Sequence, residues 1–214
     1  MTTPIEINSL DALVQRVEAR AATQPRTIIG VVGCPGSGKS TLAEALVRAI
    51  PGSAWVPMDG YHLADIELER LGRRSRKGAI DTFDAHGYLS LLRRIRTETE
   101  SIVYAPAFER TLEQPIAGAI PVLPETAVVI TEGNYLLDDA DPWPSVRGAL
   151  DEVWFRKVDD DVRLERLVAR HVRFGKPEPE ARAWVEAVDE PNARRIIASG
   201  HRADVIVDGI ELIA

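Results

Sequence analysis

A glycine-rich octet set between an apolar run and a helix-forming run constrains this chain more than any other feature. Residues Gly33 to Ser40 read Gly-Cys-Pro-Gly-Ser-Gly-Lys-Ser, which has the form G-x-x-x-x-G-K-[ST]. Before it, Thr27-Ile-Ile-Gly-Val-Val32 suits a buried parallel strand. After it, Thr41-Leu-Ala-Glu-Ala-Leu-Val-Arg-Ala-Ile50 favours helix, and Pro51-Gly52 ends it. Gly33, Gly36 and Gly38 let backbone N–H groups converge on an anion, with Ser37 and Thr41 beside them, and the helix N-terminus adds its dipole. Lys39 is placed to reach β- and γ-phosphates, and the Ser40 hydroxyl to hold Mg²⁺. A chance glycine-rich turn has no need of both flanks.

The bulk numbers bound the rest. The chain has 214 residues, 45% of them hydrophobic, enough for one domain with a sizeable core. A net charge of −7 disfavours nucleic acid or an anionic membrane as the main partner. Cys34 is the only cysteine, so the chain forms no internal disulfide and fits a reducing cytosol. No apolar stretch approaches the roughly 20 residues of a membrane helix, and the first residues lack the basic and apolar regions of a signal peptide. The expectation is a cytoplasmic protein, with nothing pointing specifically to a homo-oligomer.

Periodicity supplies the outline. Leu10, Leu13, Val14 and Val17 form one helical face, predicting a helix over about 9–22. Ser53–Met58 is a second strand candidate, and Pro57 within it suits a strand end or an edge. Residues 60–82 read as irregular, and Tyr88, Leu89, Leu92 and Ile95 as a helical stripe. Ser101–Tyr104 is extended. Residues 105–126, with Pro106, Pro115, Pro121 and Pro124, read as loop or hairpin. Ala127–Thr131, Leu150–Phe155 and Asp204–Val207 are further strands, with helices over about 160–174 and from Glu178 to about Val188. Alternating strands and helices predict a parallel α/β sheet covered on both faces, in a single domain over 1–214 with a lid at about 159–177.

Several side chains carry chemistry. Asp59 follows the second strand, at the end where ligands bind in such sheets. It is either a base for an attacking hydroxyl or half of an Asp-Gly turn. Glu132 ends the strand Val128–Gly133 and would orient Mg²⁺ or its waters, or serve as a cap. Arg163, Arg166, Arg170 and Arg173 are spaced 3, 4 and 3, on one helical face. Asp159, four residues before Arg163, supplies that arginine with a partner. Arg166, Arg170 and Arg173 have no acid three or four residues away, so a triphosphate or bulk solvent meets their charge. Arg76, Lys77 and Asp84 mark a basic loop and acidic turn that either bind an acceptor or are solvated, Asp84 capping the next helix. Tyr104 and Arg110 flank Ala-Pro-Ala-Phe-Glu and would line an acceptor pocket, and His62 is either a ligand-binding or a packing histidine. The scattered histidines and lone cysteine give no zinc spacing. Asp84-Ala-His-Gly87 matches the D-x-x-G pattern of GTPases by letter only, without a guanine motif.

Taken in order, these segments resemble the P-loop kinase family that includes uridine kinase, phosphoribulokinase and bacterial pantothenate kinase. The resemblance rests on Gly33–Ser40, Met58-Asp-Gly-Tyr-His62, Lys77–Asp84, Tyr104–Arg110, Thr131-Glu-Gly133, Arg163–Arg173, Glu190-Pro-Asn192 and Arg202–Val207, spanning about 26–208. It implies a three-layer P-loop fold with a five-stranded parallel sheet, order 2-3-1-4-5, and an arginine-bearing helical lid. It further implies ATP and Mg²⁺, Asp59 as base, and Asn192 near the adenine. Uridine kinases carry an aspartate after the tyrosine, where this chain has Ala105, and the Asp-Gly-aromatic and Lys-Gly elements are similar to the pantothenate-kinase-like branch. The expected activity is phosphoryl transfer from ATP to a hydroxyl of a small metabolite, with Lys39, Arg166 and Arg170 stabilising the transferred group. The alternatives are a nucleoside monophosphate kinase and a non-catalytic nucleotide-binding protein.

Overall fold

A computed structural model describes residues 3–210. Strand β1 (Ile5–Ile7) and helix α1 (Leu10–Ala21) precede β2 (Thr27–Val32), α2 (Lys39–Ala49) and β3 (Ala54–Pro57). Then come α3 (Asp65–Arg70), α4 (Ala85–Thr97), β4 (Val103–Glu109), β5 (Gln114–Val122), β6 (Val128–Gly133) and α5 (Trp143–Gly148). The chain closes with β7 (Glu152–Arg156), α6 (Asp160–Arg173), α7 (Glu178–Trp184), α8 (Glu190–Ser199) and β8 (Val205–Val207).

Six of these strands form one parallel sheet, in the order β1-β8-β7-β2-β6-β3. Every residue of β2 and β6 is buried, which is why both read as unbroken runs rather than alternations. Ile28 and Val32 of β2 pack with Tyr88 and Leu92 of α4 on one face. Ile29 and Val31 pack with Leu13, Val17, Leu42 and Leu46 of α1 and α2 on the other. The three layers follow directly from that division.

The five expected strands stand in the expected order, β3-β6-β2-β7-β8, with the proline-bearing β3 at an edge. The sheet has six strands rather than five, because Ile5–Ile7 pairs in parallel with Val205–Val207. Three residues are too few to show a period. Residues 105–126 are a hairpin: β4 and β5 form a separate antiparallel pair with a register shift between Ala105 and Ala107. The helix expected to stop near Val188 instead runs on to Ser199, through a π-helical turn at Val185–Asp189. Pro191 sits in the first turn of α8, directly after that π-helical turn.

Candidate phosphoryl-transfer site

The octet Gly33–Ser40 joins the end of β2 to the start of α2. Gly36 and Gly38 hold φ values of +80° and +79°, a region glycine enters without a side-chain clash. A Cβ on Gly36 would also lie 2.7 Å from the Arg163 carbonyl oxygen, so α6 crosses the loop at a distance only glycine permits. Gly38 precedes α2 as its N-cap, leaving the first N–H groups of that helix without intrahelical partners.

Two clefts meet at this loop. The first, about 500 Å³, is lined by Ser37, Gly38 and Thr41 on one side and by Arg166, Arg170 and Arg173 of α6 on the other. Arg166 Nη1 lies 3.8 Å from where a Gly38 side chain would begin. The second, about 530 Å³, gathers Lys39, Asp59, His62, Lys77, Arg110 and Asn192. Arg170 lines both clefts. Burial pushes its pKa down, and Arg110 adds to that, the behaviour of a desolvated cation beside another.

Asp59 lies in a single 3-10 turn, Met58–Tyr61, directly after β3. Its Oδ2 accepts from Arg110 Nη2 at 3.0 Å. Burial works to raise its pKa, but His62, Arg110, Lys39 and Arg170 overcome that and hold it below the usual carboxylate range. Asp59 is therefore ionised at neutral pH. His62 places Nδ1 2.8 Å from the Asp59 carbonyl oxygen and packs its ring between Phe83 and Phe108, at 4.0 and 4.9 Å between centroids. Burial lowers its pKa, against the pull of the Asp59 carboxylate.

Glu132 is 2% exposed at the end of β6. Its Oε1 accepts from the Ser40 hydroxyl at 3.1 Å, while Oε2 is buried with no partner. Burial, with the Asp59 charge, raises its pKa to about 7 against the pull of Lys39 and Ser40. Among the described residues no cluster of three or more His, Cys, Asp or Glu side chains could hold a metal alone. A hydroxyl and one orphaned carboxylate oxygen instead fit Mg²⁺, which takes one or two protein oxygens and completes its shell with phosphates and water.

The remaining expected site residues divide. Lys77 lines the second cleft, bonded to Asp65 at 2.7 Å and set over the Phe108 ring at 5.3 Å. Asn192 lies in this same cleft rather than beside Thr41 and Arg166. Arg76 does not line it: that guanidinium pairs with Asp81, and Arg74, two residues earlier, faces the cleft while paired with Asp65. Asp84 caps α4, accepting from the Gly87 N–H at 2.8 Å. Tyr104 is 55% exposed and away from both clefts. Within α6, Arg163 is not a phosphate-facing arginine. It is 2% exposed and bonds Asp160 and Glu190 at 3.0 and 2.6 Å. Asp159 is its expected partner, but caps the helix instead, accepting from the Asp161 and Val162 N–H groups.

Residues of the second cleft that escape sequence reasoning include Asn134, His171 and Trp184. Asn134 was detectable, since it follows Glu132-Gly133 at a strand end, and its Oδ1 is buried without a partner. His171 bonds Asp189 of the π-helical turn at 2.8 Å, a contact no helical period reveals.

No family model matches the chain. It is 36% identical over 180 residues to a Schizosaccharomyces pombe protein named "putative uridine kinase", covering 79% of this chain and 77% of that one. An Aspergillus versicolor protein named as ATP-dependent kinase-like is 37% identical over 125 residues, covering 55% and 73%. A crystal structure described as a "putative fructose transport system kinase" from Silicibacter superposes with a TM-score of 0.83 at 39% identity, covering 92% of this chain and 98% of that one. At these identities and coverages, the chain belongs to the P-loop kinase family that includes uridine kinase.

Proposed function

We propose that this chain transfers the γ-phosphoryl group of ATP to a hydroxyl of a small metabolite. The observation that carries this reading is Arg170, which lines both clefts and has no carboxylate within salt-bridge distance among the described residues. A donor in the first cleft and an acceptor in the second meet at this one uncompensated guanidinium, where charge develops during transfer.

Each group then has a defined task. The N–H groups of the loop and Lys39 bind the donor phosphates. Arg166 and Arg170 neutralise charge from the lid side. Asp59, ionised and beside the acceptor cleft, takes the hydroxyl proton. Ser40 and Glu132 would hold Mg²⁺, which supplies further charge neutralisation when bound. A phosphate acceptor needs no base, whereas an ionised Asp59 stands in the acceptor cleft, where Arg74, Lys77 and Arg110 each already bond a carboxylate. That favours a hydroxyl acceptor over a nucleoside monophosphate.

The test is a transfer assay with Mg·ATP against nucleosides, sugars, hydroxy acids and nucleoside monophosphates. Transfer to a hydroxyl compound that Asp59→Asn abolishes supports the reading. Transfer to monophosphates alone, unaffected by Asp59→Asn, overturns it.

A further inference from the structure

A third cleft, about 450 Å³, opens over the carboxyl ends of β7 and β8, between the first turn of α6 and the last of α8. It shares no residue with the cleft that holds Asp59, and adjoins the donor cleft through Ser37 and Arg156, which line both. Phe155, Ile197 and Ile206 give it apolar walls, and Cys34, Ser37 and Arg163 line it from the loop side.

Three buried polar atoms of its lining have no hydrogen-bond partner among the described residues: Ser37 Oγ, Arg156 Nε and Arg163 Nη1. Their residues are 1, 7 and 2% exposed. Two other orphans, Glu132 Oε2 and Asn134 Oδ1, belong to the end of β6 beside the transfer site, where they await metal or substrate. The same reasoning applies here, and the chemistry is more restrictive. Guanidinium nitrogens only donate, and a hydroxyl can donate, so the missing group must accept. Arg156 donates its two Nη groups to the Val207 and Ile210 carbonyl oxygens and has no carboxylate within salt-bridge distance among the described residues. A buried cation of that kind favours an anion.

We propose that this cleft binds a small organic anion, a carboxylate head on a short apolar body, as an effector of nucleotide binding. The linkage is steric. A Cβ on Gly33 would lie 2.5 Å from Ser37 Oγ, and one on Gly36 2.7 Å from the Arg163 carbonyl oxygen. The two residues that offer donors to the effector are thus packed against two glycines of the phosphate loop. Fixing their side chains biases the loop, and the coupling is reciprocal. Burial raises the Cys34 thiol to about 11, so it forms a neutral floor to the cleft and not a nucleophile.

Saturation-transfer NMR on the full chain tests this, with hexanoate and 1-hexanol as probes and a non-hydrolysable ATP analogue with Mg²⁺ saturating the donor cleft. Hexanoate should bind at least about fivefold tighter than hexanol and shift the nucleotide Kd at least about twofold. Ile197 is half-exposed, so Ile197→Trp, filling the cleft, and Ile197→Glu, repelling the anion, should each remove hexanoate binding and leave the unliganded nucleotide Kd and the melting temperature unchanged. Equal binding of the alcohol, or hexanoate binding that survives in both variants, would overturn the site. Loss of hexanoate on nucleotide saturation would place the anion in the donor cleft and overturn it equally. Binding with no change in nucleotide Kd would overturn the effector role.

Discussion

Arg110 Nη2 lies 3.0 Å from Asp59 Oδ2, joining the β4–β5 hairpin to the end of β3. The bond ties one oxygen of the carboxylate to a cation and helps to hold Asp59 ionised. The hairpin, which belongs to a separate two-stranded sheet, thereby reaches a carboxylate at the end of the parallel sheet.

Removing that cation should raise the Asp59 pKa. In Arg110→Ala the acidic limb of kcat/KM is expected to move to higher pH, and Arg110→Lys should restore part of the shift. The stability term has the matching sign. A depressed folded pKa stabilises above the unfolded value and loses that contribution as pH falls through the folded one. The Arg110→Ala variant should therefore lose its stability deficit in acid. An unmoved acidic limb would separate Arg110 from the ionisation of Asp59.

Asp59→Asn keeps shape and removes the base. Turnover should fall by at least about 10²-fold, with nucleotide affinity nearly intact in a titration of Mg·ATP. Near-normal turnover would take Asp59 out of the base role.

Glu132 should behave in the opposite sense to Asp59. Its pKa is raised to about 7, so the metal-free folded state binds the extra proton and loses stability as pH rises from the unfolded value towards 7. Glu132→Gln should consequently raise the melting temperature of the metal-free protein at pH 8, while weakening the Mg²⁺ dependence of nucleotide binding. Calorimetry with and without Mg²⁺ measures both. A lowered melting temperature in the metal-free variant would contradict the assignment.

The arginines of α6 should divide by burial. Arg163→Ala strands Glu190 and removes a buried pair, at a cost of about 3 kcal/mol, read in chemical denaturation. Arg166→Ala, on an exposed position over Gly38, should stay within about 0.5 kcal/mol of the parent and weaken nucleotide binding about tenfold. Equal stability losses in the two variants would make Arg166 structural as well.

The α/β class and the nucleotide loop were legible in the chain because each rests on local rules, whereas the strand order followed from the resemblance to the kinase family. Continuous apolar runs mark strands buried on both faces, a 3.6-residue period marks helices, and the octet needs its glycines wherever it occurs. Asp59 and Glu132 were legible as strand-end carboxylates. Facing and pairing were not. An acid one turn earlier sets Arg163 apart from Arg166 in the sequence, but its burial and its bond to Glu190, 27 positions away, do not show there. Tyr104 is exposed to solvent whereas Phe108 lines the second cleft, a difference no residue type announces. Strand β1 exists because β8 offers it an edge, and Asp189 reaches His171 through a π-helical turn. Local propensity acts over a few residues and is written in their order. Which of two similar side chains is desolvated, paired or left free depends on elements that meet only in the folded chain.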